Sequence, residues 1–161
     1  MPIDVGAAAP DFVLKDQNNQ EVRLSDFHGR KAVLLVFYPL AFTGRCQGEL
    51  TEIQENLDVY AGEHLQVLTV SVDSVYSHKV WATREGFDFP MLADFWPHGA
   101  VATAYGVFDD ERGIANRGTF LIDETGTVRF AEMATPGQTR EQTTWRTALA
   151  TLGRRSADKV G

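Results

Sequence analysis

The segment Lys31-Ala-Val-Leu-Leu-Val-Phe-Tyr38 carries no polar side chain from Ala32 to Phe37. Its length and β-branched content suit a strand with both faces buried. Such a strand sits inside a sheet and needs a packed layer on each side, so this one segment already argues for a layered α/β chain. Gln66-Val-Leu-Thr-Val-Ser-Val72 reads as a second buried strand. Between the two, Leu50, Ile53, Leu57 and Tyr60 recur at spacings of three and four, which is one apolar face of a helix. Strand, helix, strand predicts a parallel pair joined by a crossover.

The flanking segments complete the plan. Asp11 to Asp16 and Glu21 to Leu24 alternate apolar and polar residues around Asp16-Gln17-Asn18-Asn19, which predicts an N-terminal β-hairpin. Val75 to Phe87 reads as a helix ending near Gly86, and Gly99 to Tyr105 as a short helix before Gly106. Gly118-Thr-Phe-Leu-Ile-Asp123 and Thr127-Val-Arg-Phe-Ala-Glu132 flank Glu124-Thr125-Gly126, a strand–turn–strand hairpin. Trp145, Leu149 and Leu152 mark a closing helix, and the polar tail from about Gly153 is expected to fray. The expectation is a single α/β domain over residues 1–161. It has the thioredoxin-like plan, a central mixed β-sheet flanked by helices with an N-terminal β-hairpin.

Composition narrows the function. With 43% apolar and 23% charged residues the chain is an ordinary globular protein. Acidic residues outnumber basic ones, 22 to 15, for a formal charge of −7. No basic run or aromatic-basic stripe appears, so a nucleic-acid surface is not expected. Met1-Pro2-Ile3-Asp4-Val5-Gly6 has neither the basic nor the apolar region of a secretory signal. The longest apolar run is far too short for a bilayer span, so no membrane is expected. The single cysteine, Cys46, has no intrachain disulfide partner, and a cytoplasmic location is the expectation. His28, His64, His78 and His98 lack metal-ligand spacing with each other or with Cys46, so no metal is called and no cofactor is invoked.

The chemistry lies where the first buried strand ends: Tyr38-Pro39-Leu40-Ala41-Phe42-Thr43-Gly44-Arg45-Cys46. Pro39 lacks an N–H donor and stops the strand. Thr43 is an N-cap candidate, which puts Cys46 in the first helical turn. Unpaired N–H groups and the helix dipole favour an anion there, and a thiolate is one. Cys46 precedes Leu50 by four residues and lies on the buried stripe, so its sulfur is expected to be partly exposed in the crevice at the strand ends. A lone cysteine is more often just a small buried hydrophobe. The helix start, the strand end, Pro39 and Thr43 together reverse that reading.

Pro39-x-x-x-Thr43-x-x-Cys46 resembles the active-site signature of the peroxiredoxins, which have a thioredoxin-like fold. The resemblance extends to Ala9-Pro10-Asp11-Phe12, Asp94-Phe95-Trp96-Pro97-His98-Gly99, Ala104-Tyr105-Gly106-Val107 and Arg117-Gly118-Thr119-Phe120-Leu121-Ile122-Asp123. The string Pro39 to Glu49 is most similar to the one-cysteine alkyl hydroperoxide reductase E subgroup. The resemblance implies a thiol-dependent peroxidase. Cys46 would reduce hydrogen peroxide, organic hydroperoxides or peroxynitrite to water, alcohol or nitrite and become a sulfenic acid. Thr43 would hydrogen-bond the thiolate and the peroxide, Pro39 would shield the sulfur, and Arg117 would hold the thiolate and polarise the peroxide. A planar guanidinium holds two acceptors at once, which suits that task. Glu49 reads equally as a group that orients an arginine and as a solvated helix charge. Trp81 reads more readily as core than as a pocket wall, and Arg45 as a surface residue at the rim.

No second thiol is present, so an outside thiol must reduce the sulfenic acid. The subgroup implies mycothiol with a glutaredoxin-like mycoredoxin, and the family implies a homodimer. Three rival readings share the fold or the thiol. A thiol–disulfide oxidoreductase would want Cys-x-x-Cys, where this chain has Cys46-Gln47-Gly48-Glu49. A redox sensor would use the same thiolate with slow turnover. A holdase chaperone would act independently of Cys46.

Overall fold

The computed structural model describes the backbone of residues 1–160 and the side chains of residues 1–152. The expected N-terminal hairpin forms from β1 (Val13–Lys15) and β2 (Glu21–Arg23), paired Leu14 to Val22. The central strand β3 (Ala32–Phe37) is buried at every position. It is followed by α1 (Gly44–Glu55), α2 (Leu57–Tyr60), β4 (Leu65–Ser71) and α3 (Val75–Glu85). The chain then forms β5 (Met91–Ala93), α4 (Ala100–Ala104), the small ribbon β6 (Phe108–Asp109) and β7 (Ile114–Ala115), β8 (Arg117–Ile122), β9 (Val128–Ala134) and α5 (Gln142–Val160). The backbone of α5 is helical through Val160, and the side chains of the tail expected to fray from about 153 lie outside the described residues.

One sheet of seven strands, ordered β2-β1-β5-β4-β3-β8-β9, runs through the molecule. β3 pairs parallel with β4 and antiparallel with β8, so the sheet is mixed. The period-two alternation of β3 explains its uniform burial. Val33, Leu35 and Phe37 enter one apolar cluster with Phe12, Leu24, Ala102 and Tyr105. Leu34, Val36 and Tyr38 enter the other with Cys46, Leu50, Ile53, Trp81 and Trp145. Helices α1, α3 and α5 therefore cover one face, while α4 and the N-terminal segment cover the other. This is the thioredoxin-like arrangement expected from the sequence.

Local chemistry sets the boundaries. Ser74 caps α3 through its hydroxyl, which accepts from Ser77 N–H at 3.1 Å. Gly86 ends α3 with φ of 74°, a left-handed conformation that favours glycine. Asp94 accepts from Val101 and Ala102 N–H at the start of α4, which folds the segment Asp94–Gly99 into a loop against that helix. Strand β5 was not expected, because only three residues follow Pro90; its pairing with β4 defines it. No helix among the described residues is long and apolar enough to cross a membrane.

Candidate active site

The end of β3 and the start of α1 meet above the sheet. Thr43 occupies the N-cap position of α1 with extended backbone, and the first helical bond runs from Gln47 N–H to Thr43 C=O at 2.9 Å. Cys46 is the third residue of the helix, so the N–H groups of its turn precede the hydrogen-bond ladder and face outward from the helix end. Two local expectations need correction. The Thr43 side chain does not cap the helix; its hydroxyl donates to Leu40 C=O at 2.8 Å. The Cys46 sulfur is not partly exposed but fully buried, because Tyr38, Ala41 and Trp81 pack in its cluster and Arg117 lies against it.

Arg117 reaches the sulfur from the neighbouring strand. The antiparallel register pairs Val36 with Thr119, and its continuation sets Arg117 across from Tyr38, at the same end of the sheet as Cys46. Arg117 Nη1 donates to Cys46 Sγ at 3.4 Å and to Glu49 Oε1 at 2.5 Å, and Nε donates to Pro136 C=O at 3.1 Å. Glu49 is one turn after Cys46 on α1 and is only 4% exposed, so it is no solvated charge.

Arg140, just before α5, was not anticipated. Its Nη2 donates to Glu49 Oε1 at 2.8 Å, while Nε and the backbone N–H each donate to Oε2 at 3.0 Å. Its Nη1 is held by Gly118 C=O at 3.0 Å and Thr119 Oγ1 at 3.1 Å. Burial alone would raise the Glu49 carboxyl. The hydrogen bonds and charge of Arg140, with the charge of Arg117, outweigh burial and hold it below the ordinary glutamate range. Glu49 is thus an ionised, saturated anchor between two buried guanidiniums. In sequence, Arg140 stands in a polar loop and looks like any solvated arginine; no spacing signal marks it.

Pro39 is buried beside Tyr38, and Thr43 and Arg45 are exposed. Trp81 is fully buried and packs its ring 5.9 Å from Tyr38 and 5.8 Å from Phe42, so it is a core residue that also backs the loop before Cys46.

Beneath that loop lies a second polar cluster. His78 Nε2 is 3.0 Å from Tyr38 Oη, 2.7 Å from Ser71 Oγ and 4.0 Å from Asp73 Oδ2. Burial pushes His78 down to about 4, against the opposing pull of the Asp73 carboxylate. The imidazole is therefore neutral at pH 7. Its ordinary value of 6.5 returns on unfolding, so the unfolded chain binds the extra proton as pH falls. Stability is then full above pH 6.5 and is lost progressively between 6.5 and 4, by about 3 kcal/mol at the limit. Glu49 adds a separate loss only below its ordinary value of 4.5. Urea midpoints across this range test the assignment. The wild type should weaken from pH 6.5 downward and His78→Gln should lose that slope; a flat wild-type profile contradicts it.

Cys46, at the N-terminus of α1, thus faces a guanidinium that a buried carboxylate holds in place. Comparison with known proteins identifies the family. The model of the AhpC/TSA family matches residues 5–131, and the chain belongs to that family and is a peroxiredoxin. It is 55% identical over 150 residues to alkyl hydroperoxide reductase E of Mycobacterium tuberculosis, covering 93% of this chain and 98% of the relative. It is 36% identical over 137 residues to the chloroplastic 2-Cys peroxiredoxin BAS1 of Hordeum vulgare, covering 79% of this chain and 64% of the relative. The reduced 2-Cys peroxiredoxin of Plasmodium vivax superposes with a TM-score of 0.86 at 28% identity, covering 97% of this chain and 85% of that one. Peroxidoxin BcpB of Mycobacterium tuberculosis superposes with a TM-score of 0.80 at 29% identity, covering 94% and 97%.

Proposed function

We propose that this peroxiredoxin works by a one-cysteine cycle in which Cys46 reduces hydrogen peroxide, organic hydroperoxides or peroxynitrite. The thiolate sulfur attacks the terminal peroxide oxygen. An S–O bond forms and the O–O bond breaks. Cys46 becomes a sulfenic acid, and the leaving oxygen departs as hydroxide, alkoxide or nitrite. Hydroxide and alkoxide then take a proton and leave as water or alcohol. The contact of Arg117 Nη1 with Cys46 Sγ at 3.4 Å carries this reading. A guanidinium already fixed by Glu49 and Pro136 needs no reorganisation as charge develops on the leaving oxygen. The Thr43 hydroxyl, having given its proton to Leu40, keeps lone pairs to accept the peroxide O–H. Buried Pro39 keeps water from the sulfur.

The single cysteine supports reduction of the sulfenic acid by an external thiol. In this reading that reductant is mycothiol with a mycoredoxin-like protein, in the cytoplasm, as the resemblance of the Pro39–Glu49 string to the one-cysteine subgroup implies. The chain is read as one domain over residues 1–161. Tyr76, Phe95 and Trp96 are exposed at 83%, 54% and 82%, an apolar surface that supports a homodimer. Stopped-flow mixing of the reduced protein with hydrogen peroxide, an alkyl hydroperoxide and peroxynitrite tests the substrate range. A fast second-order phase with all three, absent in Cys46→Ser, is expected; no Cys46-dependent phase with any of them overturns the reading.

A further inference from the structure

The loop that carries Pro39 and Thr43 is tied down at two points by groups the peroxide chemistry does not touch. Tyr38 hydrogen-bonds His78 Nε2 at 3.0 Å, and His78 Nε2 in turn meets Ser71 Oγ at 2.7 Å. Ser71 Oγ donates to Asp73 Oδ2 at 2.5 Å, and the same Oδ2 accepts from Ala41 N–H at 2.8 Å. The chain of bonds therefore leaves the loop at Tyr38 and returns to it at Ala41. His78 Nε2 thus joins Tyr38 on the loop to Ser71 at the end of β4. Tyr38, His78 and Ser71 are all essentially inaccessible to water. Between the two anchors and the helix, Phe42 takes a positive φ of 65° and Thr43 turns its hydroxyl onto Leu40. A left-handed backbone at a phenylalanine persists only where its surroundings over-determine it. Trp81 supports the same turn from below, against the Tyr38 and Phe42 rings.

We propose that Asp73 and His78 are positioning residues for the peroxide step, fixing the Pro39–Thr43 turn through Ser71, Tyr38 and the Ala41 N–H so that the Thr43 oxygen meets the incoming peroxide. The proposal rests on Cys46 being the peroxide-reducing thiol. It separates two arms of the site. Arg117, Glu49 and Arg140 hold the charge next to the sulfur, and Asp73 with His78 holds the turn that receives the substrate. The polar contacts of Asp73 and His78 run to Ala41, Ser71, Tyr38 and each other, while the sulfur is met by Arg117. Their loss should therefore affect peroxide more than an electrophile that makes no use of Thr43.

The test compares two reactions of the reduced protein: oxidation by hydrogen peroxide in stopped flow and alkylation of Cys46 by iodoacetamide followed by intact mass. In Asp73→Ala the peroxide rate should fall on the order of tenfold or more, since small misplacements of a positioning group are costly. Alkylation should not fall by more than about threefold, since iodoacetamide makes no use of the Thr43 oxygen and a loosened turn uncovers the sulfur rather than hiding it. Asp73→Asn keeps an amide oxygen able to accept from both Ala41 and Ser71, and should recover most of the lost rate. If Asp73→Ala does not fold, Ser71→Ala reads the same ratio, because it breaks the chain in the middle and spares the Ala41 bond. A wild-type peroxide rate in the tested variant overturns the proposal, as does an equal fall in both reactions or an asparagine variant no better than alanine. A wild type that ignores peroxide but alkylates normally defeats the parent reading instead, and this proposal with it.

Discussion

Arg117→Ala loses on the order of 10²–10³ in the rate of Cys46 oxidation, while Arg45→Ala stays close to wild type. The two arginines differ in what they touch. Arg117 is 2% exposed and its Nη1 lies against the sulfur, whereas Arg45 is on the surface and bonds Thr139 Oγ1. Attack on the peroxide moves negative charge from sulfur to the departing oxygen. A fixed cation within reach of both lowers the barrier, and a mobile solvated one does not. Arg117→Lys should recover little, because one ammonium nitrogen cannot stand both where Nε meets the Pro136 carbonyl and where Nη1 meets Glu49 and the sulfur. Single-mixing stopped flow against hydrogen peroxide reads the effect. Equal small losses at the two positions would mean that Arg117 has been assigned the wrong role.

Glu49→Ala should be the most damaging single change to stability. The carboxylate is the shared counter-ion of two guanidiniums that are buried themselves, at 3% and 1% side-chain exposure. Deleting it leaves two buried cations without that partner and orphans the N–H of Arg140, which costs about 3–5 kcal/mol. For a chain of this size that corresponds to a fall in Tm of roughly 10 °C. Glu49→Gln keeps one oxygen acceptor and should lose less. Because Arg117 loses the anionic partner that fixes it in both variants, peroxide reactivity should fall alongside stability, less in Glu49→Gln. Thermal unfolding followed by circular dichroism checks the first effect, and a Tm unchanged by Glu49→Ala would contradict the buried anchor.

The parts legible in the sequence are those with a local cause. Burial of β3 on both faces, the stripe of α1 and the glycine stop after α3 each follow from residues close together in the chain. The start of α1 was visible for the same reason, and with it the placement of Cys46 in the first turn. What escaped depends on contacts between distant segments. Arg140 gains its role only because the loop after β9 folds back onto α1, with Glu49 ninety-one residues earlier. β5 exists through its neighbours rather than its own three residues. Thr43 holds the cap position, but the turn at Phe42 brings Leu40 C=O within reach of its hydroxyl. Full burial of Cys46 could not follow from the helical stripe alone, since Arg117 and Trp81 arrive from other elements. The sequence does carry a local signal for the cluster around His78. Ser71 and Asp73 are polar residues at the carboxyl end of an apolar strand, where open α/β sheets gather functional groups.

The most direct test of a one-cysteine peroxidase is the intact mass of the fully reduced protein after one equivalent of hydrogen peroxide. The account predicts the gain of a single oxygen atom on Cys46, trappable by a dimedone-type reagent and converted to a mixed disulfide by a small added thiol. A second thiol or a redoxin should then release the thiolate. Excess peroxide without reductant should add a second oxygen that thiols do not remove. An unchanged mass with the peroxide unconsumed, or a Cys46–Cys46 disulfide between chains as the main product, would contradict it.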